Sequence, residues 1–139
     1  MTHTIEMAPA WSGPPGDHGA VAEGAVGHPW LGRLRLFRYE IRCWRDGVIP
    51  DLAFAVGAPA HVELSDADAR RIVAQVAHCP TPTWGLDELG TGDMWNSNSL
   101  VAFALVRGGV DISGLEPPPG GRAPGWAAGL AVAADPMRC

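Results

Sequence analysis

Four small polar residues, Asn96, Ser97, Asn98 and Ser99, stand directly before an unbroken apolar run from Leu100 to Val106, which Arg107 and Gly108-Gly109 close. Asn and Ser side chains satisfy the unpaired N–H groups of a first helical turn. A cation suits the last turn, and glycine commonly ends a helix in the left-handed conformation. The spacing therefore predicts a helix opening at this polar run and stopping at Gly108. Its N-terminus admits two chemistries. Ser97 is either a cap, or a nucleophile seated where the helix dipole favours negative charge and the free N–H groups receive an oxyanion. Position alone favours the cap, although Asn96 and Ser99 are able to take over capping and leave Ser97 free.

A serine attacks only when a base activates it. His28, in Gly27-His28-Pro29-Trp30, is the strongest candidate, because an imidazole with an ordinary pKa of about 6.5 accepts a proton at neutral pH. Pro29 keeps the backbone before it extended. The plainer alternative is a histidine hydrogen-bonded at a strand end. Glu40 lies between Arg38 and Arg42, where an ion-paired face is the simplest reading and orientation of His28, as the third member of a triad, is the other. Trp84 and Trp95, with Asn96 and Asn98, are candidates to wall a substrate pocket, while most of the tryptophans belong in a core. No Cys/His spacing suits a metal, and Asp87, Glu88 and Asp93 do not match a calcium loop. No metal or cofactor is assigned.

The elements that must position these residues follow in chain order. Residues 1–24 carry Pro14-Pro15 and little periodicity, which predicts a flexible N-terminal tail with at most a short edge strand at Thr4 to Met7. Trp11 is its one candidate anchor. Residues 25–139 then form a single globular domain. Ala25 to Leu31 reads as a short strand, and Leu34 to Trp44 as a longer one with Phe37, Tyr39, Ile41 and Cys43 on one face and Arg38, Glu40 and Arg42 on the other. Leu34 and Leu36 fall in the opposite phase, so a bulge or turn must intervene. Asp46-Gly47 is a hairpin signal leading to a third extended segment, Val48 to Val56, and Pro50 confines its first half to an edge. Ser65-Asp66-Ala67-Asp68 opens an amphipathic helix over 66–78 with Ala69, Ile72, Val73 and Val76 on one stripe. Pro- and Gly-rich loops flank the central helix, and Leu130 to Ala134 is expected as a last strand. The order predicts an α+β domain: an antiparallel sheet packed on a central buried helix and a second amphipathic helix.

The early Gly-His-Pro-Trp and the late Trp95-to-Val110 segment, in that order, resemble the permuted papain-like domains of the NlpC/P60 superfamily. In that group, which includes amidases and acyltransferases, a histidine on an early strand meets a cysteine at the start of a central helix. The resemblance puts the nucleophile on Ser97 and the histidine on His28, and implies hydrolysis or transfer of an acyl group from an amide, ester or thioester. Serine in place of cysteine implies a serine variant, or a domain that has lost the chemistry and keeps a Trp-lined cleft for a small molecule or peptide. Residues 37–51 and 117–126 also resemble a family of small bacterial proteins, from which no activity carries over.

Composition bounds the partners. A chain of 139 residues, 47% hydrophobic, with net charge −5 is large enough for one core and too acidic overall for nucleic acid, although all ten of its basic residues are arginines. No apolar run reaches a membrane span and no signal peptide opens the chain, so a cytoplasmic address is expected. Cys43, Cys79 and Cys139 are an odd set, expected as reduced thiols.

Overall fold

The computed structural model describes residues 1–13, 19–55, 57–135 and 137. Pro14, Pro15, His18 and Cys139 lie outside them. The fold is α+β. Strands β1 (His3–Pro9), β2 (Ala20–Ala25) and β3 (Arg38–Arg45) form an antiparallel sheet in the order β1, β3, β2. Helices α1 (Asp66–Val76), α2 (Ser97–Arg107) and α3 (Trp126–Ala134) follow.

Alternation along β3 sends Tyr39 and Ile41 into the core, where Met7 of β1, Ile72 and Val76 of α1, Leu100 and Phe103 of α2 and Val132 of α3 meet them. Each such side chain taken out of water contributes about 1.5–3 kcal/mol. Tyr39 keeps its polar end satisfied by donating its hydroxyl to the Pro82 carbonyl at 2.7 Å. Burial pushes the phenol well above its ordinary pKa, a shift only partly opposed by the neighbouring Trp95 indole.

The opposite face of β3, expected to be solvated or ion-paired, is paired but also buried: Glu40 is 5% and Arg42 3% exposed. Arg42 Nε donates to Glu40 Oε2 at 2.9 Å, its Nη1 lies 3.6 Å from Glu6, and its Nη2 donates to the carbonyls of Pro9 (3.0 Å) and Ser12 (2.7 Å). The stretch read as a loosely held tail thus supplies β1 and all of β2 but its last residue, and its turn after Pro9 folds over the outer face of the sheet. Arg42 holds it there. Trp11, the expected anchor, is 61% exposed.

Other expectations are corrected locally. Ala25 to Leu31 is not a strand: β2 ends at Ala25 and a 3-10 turn runs from Pro29 to Arg33. A second 3-10 turn, Arg35–Phe37, supplies the phase change foreseen at Leu34 and Leu36. Asp46 adopts a positive φ of 53°, as a turn requires, yet no hairpin follows, because β3 pairs with β1 and β2 and the chain enters a 3-10 turn at Pro50–Phe54. The last expected strand is helix α3. The amphipathic helix begins as predicted, with Ser65 Oγ accepting the Asp68 N–H at 3.1 Å. It stops two residues earlier, at Val76.

Candidate functional site at the mouths of two helices

Helix α2 ends as its sequence dictates. Gly109 takes a φ of +82°, and its N–H and that of Val110 donate to Val106 and Leu105 at 3.0 Å each, a Schellman closure. At the other end Asn96 is the N-cap. Its Oδ1 accepts the Asn98 N–H at 2.9 Å, and Ser99 Oγ accepts the Asn96 N–H at 3.0 Å, so the two caps are reciprocal.

The same polar run ties α2 to α3. Ser99, fully buried, donates its hydroxyl to the Gly125 carbonyl at 2.7 Å. Asn96 Nδ2 and Asn98 Nδ2 both donate to the Pro124 carbonyl at 2.8 Å. Asp93 closes the knot by accepting the Gly125 N–H on Oδ2 at 2.8 Å and the Met94 N–H on Oδ1 at 2.9 Å. Gly125 caps α3 with a φ of +86°, and one turn later Gly129 lies so close to α2 that an added Cβ would meet the Ser99 carbonyl and, at 2.8 Å, the Ala102 Cβ. Gly125 lies against the Asn96 side chain and Gly129 against Ser99 and Ala102 of α2, and the missing side chains let the helices approach this closely.

Ser97 is left out of the knot. Among the described residues its half-buried hydroxyl makes no hydrogen bond, because Asn96 and Ser99 do the capping. His28 is not its partner. The exposed imidazole accepts the Trp30 N–H on Nδ1 at 3.2 Å and so caps the 3-10 turn at Pro29. No hydrogen bond joins His28 to Ser97 or to Glu40, and Glu40 accepts from the Arg42 guanidinium. A nucleophile and its base work at about 2.6–3.2 Å, so the folded chain does not assemble the three groups into a triad. The strand end and the helix start are nonetheless neighbours through one layer. Gly27 donates to the Trp84 carbonyl at 2.9 Å, and Gly85 to the Trp95 carbonyl at 2.8 Å.

The proposed pocket walls fare differently. Trp95 is 1% exposed and belongs to the core, and Trp84 packs edge-on against Tyr39 with ring centroids 5.7 Å apart. Asn98 does line a cleft, of about 480 Å³, on the far side of the polar knot. Its other walls are Asp93, the loop Leu115 to Pro118, Arg122, Ala123, and Trp126 and Ala127 at the start of α3. Trp126 is the tryptophan on the wall of this cleft. The sequence offered one signal for it, an aromatic residue directly after Pro124-Gly125, the kind of pair that ends a loop and opens a helix.

Elsewhere, Asp87 accepts the N–H groups of Thr91 (2.8 Å) and Gly92 (2.9 Å), which hold its carboxyl below the usual range. It organises the loop between Trp84 and Trp95. Burial pushes the Cys43 thiol up. Among the described residues no group of His, Cys, Asp and Glu is arranged to hold a metal ion, and no helix is long and apolar enough to cross a membrane. The architecture defines an α+β domain with a cleft between two helix N-termini. Compared with protein-family models, curated proteins and solved structures, the chain matches none.

Proposed function

We propose that this chain is a non-catalytic binding domain that holds a small apolar molecule or peptide in the cleft between the first turns of α2 and α3. One observation carries the reading. Asn96, Asn98 and Ser99, the polar residues around Ser97 at the mouth of α2, are spent on tying that helix to Gly125 and Pro124, and the tie leaves an open cleft with Trp126 on its wall. A volume of about 480 Å³ suits a drug-sized ligand, and an apolar lining with a few polar groups, here Asp93, Asn98, Glu116 and Arg122, is the usual composition of such sites.

Acyl transfer by Ser97 is the second reading, favoured by its uncommitted hydroxyl at the positive end of α2. One pair of measurements separates the two. Anilinonaphthalene sulfonate, an aromatic anion suited to Trp126 and Arg122, is expected to bind one per chain, and Trp126→Ala to weaken it about tenfold, as loss of an aromatic anchor does. A fluorophosphonate is expected to leave Ser97 unlabelled by mass. Equal affinity in wild type and Trp126→Ala removes the cleft from the account; an adduct on Ser97 establishes the catalytic reading instead.

A further inference from the structure

The register of β1 fixes which of its backbone groups face outward. Asp46 donates to the Thr2 carbonyl and Ala10 to the Arg38 carbonyl, each at 2.9 Å. With His3 opposite Arg45 and Pro9 opposite Tyr39, these two bonds assign the β3-facing groups to the even-numbered residues, since alternate residues of an antiparallel strand face the partner. The odd-numbered residues turn theirs to the open side. Pro9 has no N–H to offer there, and Met7 is buried. The open edge is therefore His3 and Ile5, whose N–H and C=O groups have no hydrogen-bond partner among the described residues.

The pleat that exposes those backbone groups also points both side chains toward α1. There His3 and Ile5 form one wall of a groove of about 630 Å³, and Asp66, Ala69, Arg70 and Val73 of α1 form the other. An unpaired edge beside an unfilled apolar groove is what an incoming strand requires: main-chain bonds along the edge and a seat for every second side chain.

We propose that the occupant is a second copy of this chain, joined edge to edge through β1. A donor and an acceptor on each of two residues two apart are self-complementary. Antiparallel pairing centred on Thr4 sets His3 of each copy against Ile5 of the other, which makes four N–H···O=C bonds and joins the two sheets into one. The incoming Ile5 and His3 side chains fill the facing groove. Asp66 and Arg70, of opposite charge on the α1 wall, meet their counterparts across the two-fold axis, as an isologous contact demands. A foreign peptide would have to match this register and this charge pair separately.

Sedimentation equilibrium on the full chain tests this. With rising concentration the wild-type mass is expected to climb from 14.6 kDa to twice that value. His3→Pro removes an outward N–H and leaves the ladder to β3 intact, and Arg70→Asp sets like charges face to face; both are expected to stay at the single-chain mass. Exchanging the charges, Asp66→Arg with Arg70→Asp, is expected to restore the pair. The proposal is overturned by a wild type that remains single up to about 1 mM, or by a dimer indifferent to both substitutions. It is equally overturned by a single-chain wild type whose His3 and Ile5 amide resonances shift on adding a synthetic threonine-valine hexapeptide, which would give the edge to another protein.

Discussion

Arg42→Met is expected to lower the unfolding free energy by about 3–5 kcal/mol, the cost of leaving one member of a buried ion pair without the other. The guanidinium is 3% exposed, and it binds the equally buried Glu40 carboxylate and the carbonyls of Pro9 and Ser12. Methionine fills most of the volume and supplies none of those bonds. The buried Glu40 carboxylate loses the guanidinium that faces it, and the turn after Pro9 loses its tether to the sheet. Urea titration followed by circular dichroism reads the loss directly. Glu40→Gln, which leaves Arg42 its carbonyl partners and Glu6, is expected to cost less. The double variant should fall well short of the sum of the two singles, since each removes the same interaction. A loss under about 1 kcal/mol for Arg42→Met would mean that the pair is solvated, and the description of the outer face would have to change.

Gly129→Val should cost stability at the upper end of the 1–3 kcal/mol typical of an overfilled core. Even the first added carbon would meet the Ser99 carbonyl, which is backbone and cannot rotate aside. The relief available is a shift of α3 away from α2. Such a shift stretches the bonds from Ser99 to the Gly125 carbonyl and from Asn96 and Asn98 to Pro124, and so carries Trp126 out of register with Asn98. Anilinonaphthalene sulfonate binding is therefore expected to fall together with the melting temperature. Ala127→Val is the control, because it adds similar bulk to an exposed α3 position at the cleft; it should leave stability nearly unchanged. Unaltered stability in Gly129→Val would show that the helices are not in contact there.

The comparison of these two positions explains what was legible in the sequence. Helix α2 was readable from Asn96 through Gly109 because caps, apolar run and stop signal are all local, and the structure adds only which Asn and Ser does the capping. Helix α3 was not. Leu130 to Ala134 is a short apolar run, and such a run fits a buried strand as well as a buried helix; Gly125 and Gly129 gain their meaning only when α2 lies against them. The β1 strand was obscured by the turn-rich composition that follows it, and the alternation of β3 correctly separated Tyr39 and Ile41 from Glu40 and Arg42. What alternation does not convey is that a neighbouring turn covers the charged face as well.

The candidate site shows the same division. Asn96, Ser97 and Asn98 were read as a polar run at a helix mouth, and the helix does start there. The tie of Asn96, Asn98 and Ser99 to Pro124 and Gly125 depends on contacts across more than twenty-five positions of chain, which no local pattern encodes. His28 and Glu40 were paired with Ser97 on residue type alone. Each instead meets a neighbour two residues away, the Trp30 N–H and the Arg42 guanidinium.

The chain contains a single tyrosine, and the lock on its hydroxyl makes it an optical gauge. While Tyr39 stays sealed against Pro82, its ultraviolet absorbance should hold the protonated spectrum beyond pH 10, where a tyrosine in water is already half ionised. The unfolded chain gives up that proton first, so alkali stabilises the open form as pH rises past the ordinary phenol value. A phenolate band that grows in together with the loss of helical ellipticity, at one common pH, would report the opening of the whole domain without any label; a band that appears while the helices are still intact would show that the ring can be reached from outside.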